Sequence, residues 1–409
     1  MSTPEGHSGP RRDRLHTGLY AYPWSLQDEG IERALTAIQE RAGADAVCLP
    51  FQYHSGKFLQ PHSPTDKVHF TEPAAHHFLP EKNRYAGTAI KPVVSRLAKE
   101  HDPLRLAREV TKKKGMELVA WVVCLHNSVL ATAHPDLAQQ TVYGEPLTFS
   151  LCPSHPEVRE FLKTLLVDIA VNYEPDVIEL ESVEYLPFMH DHHHELIGVT
   201  FDPFMEVLFG LDFHPSTCED MSRRGVDVER VAYFVKTTLD RFLVTGQEES
   251  GVGWEYFASA FLEEPELWKF MRARIDIITD LVKELSETVH DARGIPVRAI
   301  VSWWRPLHLA WLEGHSATEL IKVADGVSFP FYYDAPGIIR EAVHLRRQIG
   351  SFERLTACLN AIPPQTRSLE DLQIAVTVLR DFGINDFEFY NYSLIREEVL
   401  DWIRIATRS

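Results

Sequence analysis

Eight short apolar runs rich in β-formers, each followed by helical sequence, predict an α/β fold, a single (β/α)8 TIM barrel. A second observation removes the main competitor. A doubly wound open sheet carries a glycine-rich phosphate loop after an early strand, and neither a GxGxxG nor a GxxxxGKS/T pattern occurs. The third is length: 409 residues exceed an average domain, but barrels accept long insertions within one domain.

The elements are read in order. Residues 1–14 are polar, with Pro and Arg, and form a disordered N-terminal tail; the barrel takes 15–409. Strand one covers 17–23 and its helix 26–41. Strand two covers 45–52, beginning just after a glycine. A loop rich in His and Pro runs to about 103, and helix 104–114 is closed by Gly115 as a C-cap. Lys112, Lys113 and Lys114 end that helix, where cations suit its dipole.

Strand three covers 117–125. Helix 156–172 is opened by Ser154 and Pro156, with Glu157 and Glu160 in its first turn. Strand four covers 176–181, and a large region with a long helix over 267–289 extends to 294. Strand five is 296–303, followed by helix 317–323. Strand six is 326–331, with helix 336–349. Strand seven is 355–359, with helix 369–382 stopped at Gly383. Strand eight is 386–390, and helix 396–406 closes the chain. The large inserts, about 53–103 and 182–294, follow strands two and four. Loops after barrel strands lie on the catalytic face, so these inserts shape a pocket or an interface.

Composition narrows the partners. A net charge of -18 repels phosphate backbones and anionic lipid, which argues against nucleic acid and membrane. No run of about 18 apolar residues marks a membrane span. The N-terminus lacks the apolar core of a signal peptide, so a cytoplasmic location is expected. The five cysteines are scattered and never form a CxxC pair; Cys48, Cys124 and Cys358 sit in strand-like runs and read as buried thiols. No GxSxG occurs, which disfavours serine hydrolysis. A homo-oligomer is left open.

Strand four carries the chemistry. With period two, Ile178 and Leu180 face the helices while Glu179 and Glu181 point into the barrel. Two inward carboxylates are tolerable only with a partner or near the open C-terminal mouth. Glu181, last in the strand, is the best catalytic candidate. Glu179 either meets substrate or pairs with a barrel arginine such as Arg298.

Around this strand the sequence resembles the glycoside-hydrolase-like barrels of the GHL10 type. The likeness lies in Pro153, Pro156-Glu157-Val158-Arg159, Asn172-Tyr173, Ile178 to Glu181 and Tyr185. It covers about forty residues well, and only loosely the strand order beyond. Where that pattern has His and Asp on the strand, this chain has Glu179 and Glu181. The resemblance implies a carbohydrate-active barrel with Glu181 as strand-four acid or nucleophile.

Glycoside hydrolysis needs a second carboxyl group, one charged and one protonated. Glu388, inward on strand eight, and Asp334, after strand six, are the candidates. Glu184 and Glu313 also approach from loops. Other strand ends offer substrate-binding groups: Tyr22, Trp24, Tyr53, His54, His126, Asn127, Trp303, Trp304, Arg305, Tyr390 and Asn391. The run Met189 to Glu195 places His193 and His194 over the pocket, binds a metal, or is a plain polar loop. No cofactor or metal is required by the hydrolase reading. Its alternatives are a sugar isomerase or epimerase gathering Glu181, His126, His54 and Glu388 around a divalent ion, and a non-catalytic carbohydrate-binding barrel.

Overall fold

The computed structural model describes residues 15–190, 198–199, 201–246 and 255–408. The tail expected over residues 1–14 lies outside the described residues, as do His193 and His194.

Eight parallel strands close into a barrel: β1 (His16–Tyr20), β2 (Ala46–Tyr53), β3 (Glu117–Val123), β4 (Val177–Glu181), β5 (Val297–Ile300), β6 (Gly326–Pro330), β7 (Leu355–Asn360) and β8 (Asp386–Tyr390). Each pairs with the next, and β1 pairs with both β2 and β8, which closes the ring. The outward phase packs on helices: Leu19, Val47, Leu49, Leu118, Val122, Ile178, Leu180, Phe387 and Phe389 are fully buried. Burial of each contributes roughly 1.5–3 kcal/mol.

One helix runs back after each strand: α1 (Ile31–Arg41), α2 (Pro103–Lys114), α3 (Pro156–Asn172), α4 (Pro265–Arg293), α5 (Ala317–Val323), α6 (Ala335–Ile349), α7 (Leu369–Asp381) and α8 (Glu397–Arg408). The continuous helix expected over 26–41 is two helices, Pro23–Glu29 and α1. Gly30, at φ 88°, breaks them in a conformation that side chains rarely adopt.

The connections after β2, β3 and β4 carry the largest sets of further elements on the C-terminal side. The one after β2 holds a hairpin, Lys57–Leu59 with Val68–Phe70, and a short strand, Ala75–His76, antiparallel to β2. The one after β3 holds helix Ser128–Ala133 and a second hairpin, Ala138–Gln140 with Pro146–Leu151. The sequence reading assigned no element there. The one after β4 holds helices Pro203–Phe209, Pro215–Arg223, Val228–Thr245 and Glu255–Glu263. No described helix is long and apolar enough to cross a membrane. All five cysteines are free thiols.

The inward phase builds a charged interior. At the N-terminal end His16 Nδ1 lies 2.7 Å from Asp386 and Nε2 3.2 Å from Glu117. Burial opposes the charged ring, but Asp386 and Glu117 outweigh it and raise His16 to about 9. One layer higher, Arg298 binds Glu388 and lies 3.5 Å from both Glu179 and Asp386. Gly18 on β1 makes room there: a Cβ would sit 2.9 Å from Glu388 Cγ.

Candidate active site

The open end of the barrel centres on Glu181. The register sets Trp121 of β3 against Glu179 and Val123 against Glu181, so the Trp121 indole leans toward the last residue of β4. Its Nε1 donates to Glu181 Oε2. Glu181 keeps some access to solvent, yet the protein around it pushes the carboxyl up to about 7, against the opposing Trp121 hydrogen bond.

Ser182 follows in the left-handed region at φ 50° and turns the chain sharply at the strand end. Three residues beyond Glu181, Glu184 is packed back into the site. It is 3% exposed, and His315 Nε2 is 3.8 Å from its carboxylate. Burial, then the neighbouring Glu181 and Glu313, hold the Glu184 carboxyl well above its ordinary range. Glu313 is pushed by burial to about 7, although Arg305 Nε donates to it at 2.8 Å. Arg305 also reaches Glu206 at 3.0 Å.

Aromatic rings gather around Glu181. Tyr53 stacks on His54 at 4.2 Å, His54 on His126 at 4.8 Å, and His126 meets His190 at 4.6 Å. His190 lies 4.2 Å from Trp304, which stacks on Trp303 at 4.6 Å. Trp303 touches Tyr332 at 5.8 Å, and Tyr332 touches Tyr390 at 6.3 Å. The Tyr390 and Tyr22 hydroxyls are 2.5 Å apart, and Tyr22 meets Tyr53 at 5.3 Å, closing the circuit. Glu181 lies within electrostatic reach of Tyr22, Tyr53, Tyr332 and Tyr390.

The sequence-derived candidates fall into three groups. Glu181, Tyr22, His54, His126, Trp303 and Trp304 come together at the mouth, and Arg305 stands behind it on Glu313 and Glu206. Glu179 and Glu388 lie one layer deeper. The Tyr20 hydroxyl is 2.5 Å from Glu179 Oε2 and 2.9 Å from Glu388 Oε2, and both carboxylates face Arg298. Burial, then the negative charge of Glu388, raises Glu179 to about 8.

The remaining candidates are engaged by the fold. Asp334 is exposed and caps α6, accepting from the Gly337 amide at 3.0 Å. Asn127 caps helix Ser128–Ala133 through the Leu130 amide at 2.9 Å. Asn391 is buried and accepts from the Ser393 amide at 2.9 Å. Trp24 is 6% exposed, stacked between Tyr22 and His69.

Sequence reasoning missed Trp121, Tyr332 and the place of His190 among these rings. Trp121 was within reach: it shares the inward phase of β3 with Val119 and Val123.

The cation set of Glu181, His126, His54 and Glu388 is not brought together. Among the described residues, the group with three or more donor atoms within 4.8 Å of one another is Cys48, Glu179 and Glu388. Arg298 already supplies the positive charge there, so those residues do not fit a divalent ion.

Together these features define a (β/α)8 barrel whose strand ends gather carboxyls and aromatic rings. Its fold matches known structures. The catalytic domain of a β-amylase from Paenibacillus polymyxa aligns at TM-score 0.58 and 9% identity, over 97% of this chain and 99% of that one. A β-galactosidase from Marinomonas ef1 aligns at 0.56 and 9%, over 96% and 59%. An α-L-fucosidase isoenzyme 2 from Paenibacillus thiaminolyticus aligns at 0.55 and 9%, over 96% and 49%, so this chain spans about half of that protein. At this identity the likeness carries the barrel fold. No family model and no curated protein sequence matches the chain.

Proposed function

We propose that the chain is a carbohydrate-active enzyme, a glycoside hydrolase that pairs Glu181 with Glu184. The observation that carries this reading is Glu181 at the strand ends among aromatic rings, with the buried Glu184 near enough to feel its charge and burial raising both carboxyls. Glu184, whose carboxyl is raised by burial and by the neighbouring Glu181 and Glu313, serves as general acid. Glu181 ionises near 7 and serves as nucleophile or base. The exocyclic C–O bond of the glycoside breaks, the leaving oxygen takes the Glu184 proton, and water gives its hydroxyl to the anomeric carbon while its other proton passes to an ionised carboxylate of the pair. Aromatic faces suit the apolar faces of a sugar ring. The fold neighbours are named as an amylase, a galactosidase and a fucosidase, in keeping with a saccharide substrate.

Glu388 is the less favourable partner, because Arg298 and Tyr20 already hold it below the mouth. Asp334 is less favourable because its carboxylate caps α6.

The test is turnover of chromogenic aryl pyranosides and furanosides by wild type, Glu181→Gln and Glu184→Gln, with and without EDTA. The expected result is EDTA-insensitive turnover that falls on the order of 1,000-fold in each variant. Turnover abolished by EDTA, or unchanged in Glu181→Gln, would sink the reading.

A further inference from the structure

We infer that His315 is a positioning residue for the Glu181–Glu184 pair: a neutral imidazole that fixes the turn carrying both carboxyls and aims its one N–H toward Glu184. This rests on the hydrolase reading of that pair. The turn leaves β4 through Ser182, and its backbone is held from two sides. Just past β3, the Cys124 amide donates to the Glu181 carbonyl at 2.8 Å and the Leu125 amide to the Ser182 carbonyl at 2.9 Å. From the segment between β5 and α5, the Glu313 carbonyl accepts from the Tyr185 amide at 3.0 Å. Between these holds, the Val183 carbonyl meets the His315 ring, with Nε2 at 3.4 Å.

The tautomer of His315 follows from the partner on the other side of the ring. The Ser302 amide, just beyond β5, points at Nδ1 from 2.9 Å. A backbone N–H can only donate, so Nδ1 accepts with its lone pair and the ring proton sits on Nε2. That N–H faces the Val183 carbonyl and, 3.8 Å away, Glu184 Oε2, a buried oxygen that has no hydrogen-bond partner among the described residues. Burial lowers His315 to about 4, so the ring is uncharged at neutral pH. With Nδ1 committed to the Ser302 amide, the ring has no place for a second proton. It relays none and acts by placement.

The ring is itself anchored. The His315 amide donates to the Ala310 carbonyl at 3.0 Å. Gly314 before it, at φ 87°, lies so close to the turn that a Cβ would sit 3.1 Å from the Tyr185 ring. His315 thereby joins the end of β5 to the turn after β4, and Glu181 and Glu184 keep their relative place through that joint.

The test compares two variants of the full chain that each keep half of the ring's hydrogen bonding. His315→Gln carries an amide N–H where Nε2–H stands, and His315→Asn carries an amide oxygen where Nδ1 stands. Each leaves one buried backbone partner unmet, so a role limited to folding would lower both alike. On the aryl glycoside that wild type hydrolyses fastest, kcat of His315→Asn should fall on the order of 10- to 100-fold, with KM within about twofold. His315→Gln should stay within about threefold of wild type in kcat. Equal kcat in the two variants, or a loss confined to KM, would overturn the inference.

If no aryl glycoside turns over, the hydrolase reading fails and the placement is tested without turnover. Glutamate is isotope-labelled at its side-chain carboxyl, and the Glu184 signal is identified by NMR through its loss in Glu184→Gln. At neutral pH that signal should move in His315→Asn and hold its place in His315→Gln. Any other pattern overturns the placement.

Discussion

Trp121 reaches Glu181 with its indole nitrogen, and that contact sets the behaviour of the proposed catalytic carboxyl. The ring cannot swing away: it stands edge-on to Tyr20 at 5.0 Å and to Tyr53 at 4.9 Å. Burial raises Glu181, and the donated hydrogen bond favours its ionised form. Replacing Trp121 with Phe keeps an aromatic body and removes the donor. The Glu181 carboxyl should then rise further, on the order of one unit. Since the reaction uses the ionised form, the acid limb of kcat/KM against pH should move upward by the same amount. An unmoved limb with lower activity throughout would mean that Trp121 only fills space.

At the scale of elements, caps and inward phase divide what the sequence made legible from what it hid. Asp334 caps α6 through the Gly337 amide, so Asp334→Ala should cost about 1 kcal/mol in denaturant unfolding. It should leave kcat/KM unchanged, whereas a catalytic role would abolish turnover. Local signals of this kind explain why α3, α5 and β8 begin and end where the sequence reading put them. The alternation of Glu179 and Glu181 with Ile178 and Leu180 is equally local, and it pointed to the inward carboxylates. The helix expected over 26–41 is broken at Gly30, whose φ of 88° is open to glycine and ends the first segment. The hairpin after β3 was missed because its strands, Ala138–Gln140 and Pro146–Leu151, are short and lack a long alternating pattern. The gathering of rings was hidden for a different reason. Tyr332 and His190 become neighbours of Trp303 and Trp304 only when the barrel closes, and no spacing within one segment encodes which strand ends meet. A related prediction follows from close approach. Gly18 faces Glu388 at a distance no Cβ tolerates, so Gly18→Val should destabilise the barrel by roughly 1–3 kcal/mol, read as a lower denaturation midpoint.

For the whole molecule, the charged interior ties stability to pH. His16 at the closed end has its pKa raised from 6.5 to about 9, despite burial, by Asp386 and Glu117. A raised histidine contributes stability that is complete below the unfolded value and disappears as pH climbs through the folded value. Glu179 acts in the same direction by another route. Burial and Glu388 raise it to about 8, so the folded chain keeps a proton that the unfolded chain releases above about 4.5. Glu181 and Glu313, each near 7 through burial, add to that trend up to neutrality. The buried histidines His76, His77 and His315 oppose it only in acid. Burial lowers them to about 4, about 3 and about 4, so above 6.5 they are neutral in both states. Unfolding free energy should therefore fall continuously from about pH 6.5 to pH 9, with His16 alone contributing on the order of 3 kcal/mol. Urea denaturation at half-unit pH steps measures the slope, and His16→Gln isolates one source of it. That variant should be less stable at pH 6.5, converge on wild type near pH 9.5, and show a shallower decline between them. Parallel curves for the two proteins would place the charge of His16 outside the stability of the barrel.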